Sequence, residues 1–269
     1  MSTLAETVSD SVVITRRNLI KVKRVPDLIV FATLSPIMFV VLFRYVFGGA
    51  IQGLPPGVSY AEFLLPGIFA QTVVFGSTVT GASIAEDLQK GLIDRFRSLP
   101  MSRSAVLIGR TVADLGLNVI SIVVMALTGL VVGWRINSSI AEAIGGFLLL
   151  LVFAFAISWL MAMVGLLVRT PEVVNNASFI VIFPLTFIAD TFVPLETFPT
   201  VLRHFAEWNP VSTVVRAARE LFGNMPAGLP EPDAWSLQNP VLYTLLWAVA
   251  ILAVFVPLSV RAYLRTSSR

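Results

Sequence analysis

The chain of 269 residues has no cysteine and one histidine, and Asp, Glu, Lys and Arg make up only 13% of it, where soluble domains carry about 25%. Without cysteine there is no disulfide framework and no thiolate metal site. A single imidazole, His204, cannot form a ligand set, and on the polar side of a short amphipathic segment it reads as a solvated side chain. Neither metal nor cofactor is expected. No Gly-x-x-x-x-Gly-Lys-Ser/Thr loop occurs, because Lys21, Lys23 and Lys90 all lack the glycine frame, so ATP cannot be bound by that route. Nothing supplies the nucleophile and base that an enzyme would need. The shortage of charge also excludes a disordered chain and a nucleic-acid binder.

What the chain has is hydrophobicity: 56% of it is apolar and its mean hydropathy is +0.85. A single soluble core cannot absorb that much without leaving a greasy surface, which points to the bilayer as solvent. Crossing roughly 30 Å of hydrocarbon at 1.5 Å per residue takes about 20 residues. Six runs of that order are found, at about 28–47, 63–85, 105–133, 143–168, 173–193 and 241–260. They are separated by breaks such as Gly53-Leu54-Pro55-Pro56-Gly57 and Arg169-Thr170-Pro171. Lys and Arg concentrate in the amino-terminal segment, the second-to-third connection and the carboxyl end. Only Arg44, Arg135, Arg203, Arg216 and Arg219 fall on the other side. Cytoplasmic flanks retain basic residues, so both termini are expected inside the cell, as an even number of spans requires. Residues 1–269 read as a single membrane domain, without internal repeats and without a cleavable signal ahead of the first span.

Two connections carry information. If Glu86 to Pro100 is helical, Leu88, Leu92, Phe96 and Leu99 share one stripe, with Lys90, Asp94 and Arg97 opposite. That pattern fits a connector lying on the cytoplasmic surface. The sharper alternative is a docking element for a soluble partner, with Phe96 as apolar anchor between Arg95 and Arg97. Between Pro194 and Pro240, Phe198, Val201, Leu202, Phe205 and Trp208 fall in one arc opposite Arg203 and Glu207. A second short helix is announced by Asn209 as N-cap, Pro210 in the first position and Gly223 past the end. Its apolar arc holds Val211, Val214, Val215, Ala218, Leu221 and Phe222. The pair reads either as a hairpin dipping into the outer leaflet or as an interfacial loop on the headgroups. The amino-terminal segment, with Arg17, Lys21 and Arg24 on one side, is drawn to anionic lipid at about 1 kcal/mol per basic residue.

Ionisable groups inside the runs are scarce. Arg110 and Asp114, four apart, fit a local ion pair, and Asp190 lies close to the outer end of the fifth run. Gln71, Asn118, Asn175 and Asn176 read as hydrogen-bond glue between helices. No ladder of carboxylates at one depth can be drawn, which argues against a proton-driven carrier.

The run Gly91-Leu92-Ile93-Asp94-Arg95-Phe96-Arg97-Ser98-Leu99-Pro100-Met101-Ser102-Arg103 resembles a segment of actinobacterial permeases of the daunorubicin-resistance type, within the type-2 ABC exporter superfamily. The run Phe192-Val193-Pro194 … Phe198-Pro199 … Leu202-Arg203 … Asn209-Pro210-Val211-Ser212 … Arg216 … Arg219 … Gly223 is similar to that family's second hallmark. The chain departs from it at Ala189-Asp190-Thr191, where relatives often carry Ser-Asn or Ser-Gly before the Phe. The resemblance implies an all-α membrane protein with six transmembrane helices, a cytoplasmic amino-terminal surface helix, a coupling helix, and an outward-facing re-entrant hairpin before the last span. It implies a multi-pass permease of the bacterial plasma membrane that hydrolyses no ATP itself and works with two ABC ATPase subunits and a second permease, a copy or a paralogue. Asp94, Arg95, Phe96 and Arg97 would contact the ATPase, while Leu92 and Leu99 would seat the helix. Phe198, Leu202, Phe205, Val214, Ala218 and Phe222 would form the extracellular gate. The cargo would be an amphiphilic drug, a lipid or a glycoconjugate moved outward. An ion-gradient carrier using Asp114, or a scaffold that transports nothing, are the competing readings.

Overall fold

A computed structural model of the chain describes residues 4–24, 27–48, 57, 59–93, 101–102, 104–168, 170–225 and 232–265, and among these the backbone is helices joined by turns. Helix α1 is Leu4–Arg24, and α2, Asp27–Leu42, runs on into one π-helical stretch, Phe43–Phe47. Helices α3, Tyr60–Gly76, and α4, Thr78–Gln89, are separated only by Ser77. Then come α5, Ala105–Val132; α6, Ile140–Leu167; and α7, Pro171–Phe187. Two short helices follow, α8, Thr200–Glu207, and α9, Pro210–Leu221, and after them α10, Trp235–Gln238, and α11, Pro240–Arg265.

Four helical stretches are long and apolar enough to cross a membrane: Tyr60–Gln89, which is α3 and α4 together, then Ala105–Val132, Ile140–Leu167 and Pro240–Arg265. Two shorter apolar helices, Thr33–Val46 and Pro171–Phe187, fall on the first and fifth of the expected runs. The fifth stops at Phe187 rather than near 193, because the Asn209 amide takes the carbonyls of Leu185 at 2.7 Å and Ile188 at 3.0 Å, ending the helical ladder there.

Starts are set locally. Ser59 and Glu62 form a reciprocal capping box on α3, and Ser139 and Glu142 form another on α6. Thr170 caps α7, with Pro171 in the first position. Caps of this kind are each worth about 0.5–2 kcal/mol.

The centre of the molecule is α3, apolar and buried on nearly every side, as a helix without a polar face must be. Leu64, Leu65, Ile68 and Phe69 pack with Met125 of α5, Leu150 and Phe153 of α6, and Val214, Val215 and Phe222 of α9. Where α4 crosses α6 the backbones touch: a Cβ on Gly165 would lie 2.3 Å from the carbonyl oxygen of Gly81. Nearby, the Ser77 hydroxyl donates to Val73 O at 2.7 Å in its own helix and lies 3.1 Å from Ala154 O of α6.

A second cluster gathers the end of α4, the start of α5, the end of α6 and the end of α11 through Ile84, Ile93, Val106, Leu107, Trp159, Leu166 and Tyr263. Helix α1 joins this terminal end of the bundle. It runs beside α5 in the same direction, Thr7 meeting Ser102, Ile14 meeting Gly109 and Leu19 meeting Gly116. Helices α8, α9 and α10 sit at the far end, with the starts of α3, α6 and α11.

Candidate functional site

Each end of the bundle holds a candidate site. At the terminal end, α4 finishes at Lys90, and Gly91 turns the chain with φ +66°. The Lys90 ammonium donates to Glu86 at 2.5 Å, and that bond holds its pKa above the ordinary lysine value. Helical backbone resumes at Leu92, which is half-buried, and Ile93 sits in the terminal cluster. Asp94, Arg95, Phe96, Arg97 and Leu99 lie outside the described residues.

Further along the chain, α1 grips Ser102. The Ser102 N–H donates to Asp10 Oδ2 at 2.7 Å, and Thr7 Oγ1 donates to Ser102 Oγ at 2.9 Å. One turn further along α1, Thr15 Oγ1 lies 3.2 Å from Gly109 O. The close fit of Ile14 on Gly109 leaves no room for a side chain there. Deeper, the buried Asp114 accepts from Thr80 Oγ1 of α4 at 2.5 Å and has Arg110 Nε at 3.8 Å, so the expected local pair forms, with a third partner from α4 that spacing could not reveal.

At the far end, α9 is fastened along its whole length. At its start, Asn209 does two jobs. Its Oδ1 accepts from Val211 N at 2.9 Å as N-cap, and its Nδ2 donates to Leu185 O in the last turn of α7 and to Ile188 O just past its end. Ser212 Oγ accepts from Asp190 N at 3.3 Å. At its other end, Gly223 takes φ +67° against the backbone of Asn137. There Asn137 N donates to Phe222 O at 2.9 Å and Ser138 Oγ to Leu221 O at 2.6 Å. Trp134 Nε1 donates to Asn224 Oδ1 at 2.7 Å, and the Asn224 amide reaches Arg135 O at 2.8 Å.

In the middle is Arg219, 1% exposed. Its Nε donates to Phe63 O of α3 at 2.9 Å, Nη1 to Asp190 Oδ2 at 2.5 Å and Nη2 to Asp190 O at 2.5 Å. The guanidinium lies over the Phe63 ring, Cζ 3.6 Å from its centroid. The sequence places Arg219 among the outward basic residues and in the family hallmark, and Asp190 near the outer end of the fifth run and in the departure from that hallmark, with nothing to join the two. Their separation of 29 residues carries no local signal that would pair them.

The expected gate residues divide. Val214, Ala218 and Phe222 are fully buried, with Phe222 against Phe147 at 4.8 Å and Trp134 at 5.5 Å between ring centroids. Phe198 is half-buried with Leu195, Ala206 and Leu237. Leu202 and Phe205 are exposed, together with Val201 and Trp208, so the apolar arc of α8 looks away from the protein while Ala206 and Glu207 face inward. Arg203 and His204 pair with Glu207 at 2.9 and 3.2 Å, and His204 is exposed, as a solvated side chain would be. Among the described residues no group of acidic, His or Cys side chains could hold a metal ion.

Apolar helices long enough to cross a membrane, fastened together by α9 at one end and by α1 on Ser102 at the other, define a multi-pass membrane protein. Residues 11–222 match the ABC-2 type transporter family, and the chain belongs to it. It is 34% identical over 247 residues to the daunorubicin resistance ABC transporter permease protein DrrB1 of Streptomyces coeruleorubidus, covering 92% of this chain and 83% of that protein. Over 241 residues it is 24% identical to the probable doxorubicin resistance ABC transporter permease protein DrrC of Mycobacterium tuberculosis, covering 89% and 83%. It is also 24% identical over 218 residues to the putative transport permease ycf38 of Cyanophora paradoxa, covering 79% and 73%. The chain is the membrane permease subunit of an ABC exporter. It is not itself the ATPase, which is a separate subunit with which it partners.

Proposed function

We propose that this permease moves an amphiphilic drug, a lipid or a glycoconjugate out of a bacterial cell across the plasma membrane. Drug is favoured among the three by the names of the relatives. Residues 1–269 act as one membrane domain with six spans, and the short α2 and α7 complete the crossing that the four long stretches begin. Counting the π-helical stretch, α2 runs over 27–47, about 31 Å at 1.5 Å per residue, enough for the hydrocarbon core. Both termini are cytoplasmic. This is supported by the basic residues at the terminal end and by the packing of α1 and Tyr263 around the same cluster.

Two such permeases, identical or paralogous, stand over two ATPases. The segment from Leu92 to Leu99 docks on them, with Asp94, Arg95, Phe96 and Arg97 as contacts, and Leu92 and Leu99 seat it. Helices α8 and α9 form the outward hairpin. Its buried half, Val214, Ala218 and Phe222, seals the far end, and its exposed half, Leu202 and Phe205 with Phe198 at the hinge, rests in the outer leaflet.

The observation that carries this reading is the nearly unbroken stretch Tyr60–Gln89, which joins the docking segment to the sealed far end through the middle of the protein. The test is reconstitution. With its partner ATPase in proteoliposomes, the permease is expected to move daunorubicin in an ATP-dependent manner, and neither subunit alone should do so. Transport by the permease alone would overturn the reading.

A further inference from the structure

The far end holds a charged pair whose burial stability alone does not explain. Arg219 and Asp190 are both shut away from water, and stripping two charges of water costs as much as their attraction returns unless every donor and acceptor is used. Here the donors are used on three different elements. Arg219 belongs to α9, its Nε bond and its stacking surface belong to Phe63 in the first turn of α3, and Asp190 belongs to the turn that leaves α7. Around the same point, Tyr60 Oη donates to Phe192 O at 3.2 Å, and Gly67 approaches Thr191 so closely that a Cβ would lie 2.7 Å from its carbonyl oxygen. Three elements therefore meet at one guanidinium.

Helix α3 does not end there. Through Ser77 it continues into α4, so Tyr60–Gln89 spans about 45 Å at 1.5 Å per residue and finishes at the docking segment. Partway along, it bears on α6 at one place of backbone contact, Gly81 on Gly165, beside the Ser77–Ala154 contact. A rod that touches a neighbour backbone to backbone about two-thirds of the way along and is held at its far end by a fork of directed bonds can pass displacement from one end to the other. We propose that the Arg219–Asp190 pair is the joint through which movement of the α3–α4 rod reaches the outward helices, making Arg219 a positioning residue for transport. This rests on the reading that the ATPase acts on the terminal end.

The chain's lack of cysteine allows a single reporter. Thr200, exposed at the start of α8, is changed to Cys and carries an environment-sensitive fluorophore, with the full complex in lipid nanodiscs. Emission is compared between nucleotide-free complex and complex trapped with ADP and vanadate. The joint is tested with the double variant R219L/D190L, which removes both charges together and so avoids leaving one buried alone. The expected result is that nucleotide trapping is unchanged while the emission shift falls at least fivefold. A full-size shift in the double variant overturns the proposal. If the double variant does not assemble, Arg219→Lys serves in its place, since it keeps the charge but not the planar fork. At least a halving of the shift is then expected, and an undiminished shift is the overturning result. A wild-type complex whose label ignores nucleotide overturns both this proposal and the function on which it rests, whereas a wild-type shift preserved in the variants overturns the joint alone.

Discussion

Single residues at the far end carry more than one bond each, which makes their removal costly in proportion. Replacing Asn209 by Ala removes the N-cap of α9 and leaves the carbonyls of Leu185 and Ile188, at the end of α7, without their donor. A lost cap and stranded buried acceptors together cost about 2–3 kcal/mol. A clearly lowered unfolding temperature of the detergent-purified permease is expected, and an unchanged one would contradict this account. Glycines on α6 give a sharper contrast. Gly165→Ala drives a methyl into the backbone of Gly81 and should cost about 1–3 kcal/mol. Gly145→Ala meets nothing nearer than Leu221 at 3.9 Å and should be neutral or stabilising by up to about 1 kcal/mol. The same thermal measurement ranks the two. Asn209, Pro210 and Gly223 were legible in the sequence because capping rules act over three or four residues. The Arg219–Asp190 bond was not, because a long-range pair leaves no mark on spacing. The two capping boxes are local in the same way, Ser-x-x-Glu at Ser59 and at Ser139.

Among the elements, α8 shows what periodicity leaves open. Its spacing gives an apolar arc but not the direction that arc faces, and only packing decides that Val201, at 81% exposed, looks outward. The cluster of Trp208, Trp235, Tyr243 and Trp247 beside it sits at the first turns of α11, the depth where aromatic rings settle at a bilayer surface. A nitroxide on Val201→Cys in liposomes is therefore expected to be reached by oxygen more than by a water-soluble nickel reagent, and one on His204→Cys the reverse. Equal access at both positions would mean that α8 lies in water. For the docking segment, Phe96→Ala should abolish ATP-driven transport with normal membrane insertion, and retained transport would place the ATPase contact elsewhere. The break at Ser77 escaped the sequence too. No proline marks it: Ser77 keeps helical dihedrals, and its N–H and its hydroxyl both donate to Val73 O, a doubly used carbonyl of the kind that bends a helix.

At the scale of the whole molecule, the question is where the driving energy enters. An ion-coupled carrier needs a carboxylate free to exchange its partner during each cycle. Asp114 is the natural candidate by position, yet it is bound to Thr80 of α4, flanked by Arg110, and has its own carbonyl capped by Asn118 Nδ2 at 3.1 Å. The Thr80 bond ties α4 to α5 next to the Gly81–Gly165 contact, and the other two stay within α5, which makes the group part of the frame around the rod rather than a carrier of protons. In the assembled complex, Asp114→Asn keeps an acceptor for Thr80 and lowers the charge that Arg110 faces. It should therefore weaken the complex while leaving whatever transport remains strictly dependent on ATP and indifferent to collapse of the proton gradient. Transport that survives ATP depletion in the unmodified complex and disappears in Asp114→Asn would reverse the assignment, placing the power source inside this chain instead of in its ATPase partner.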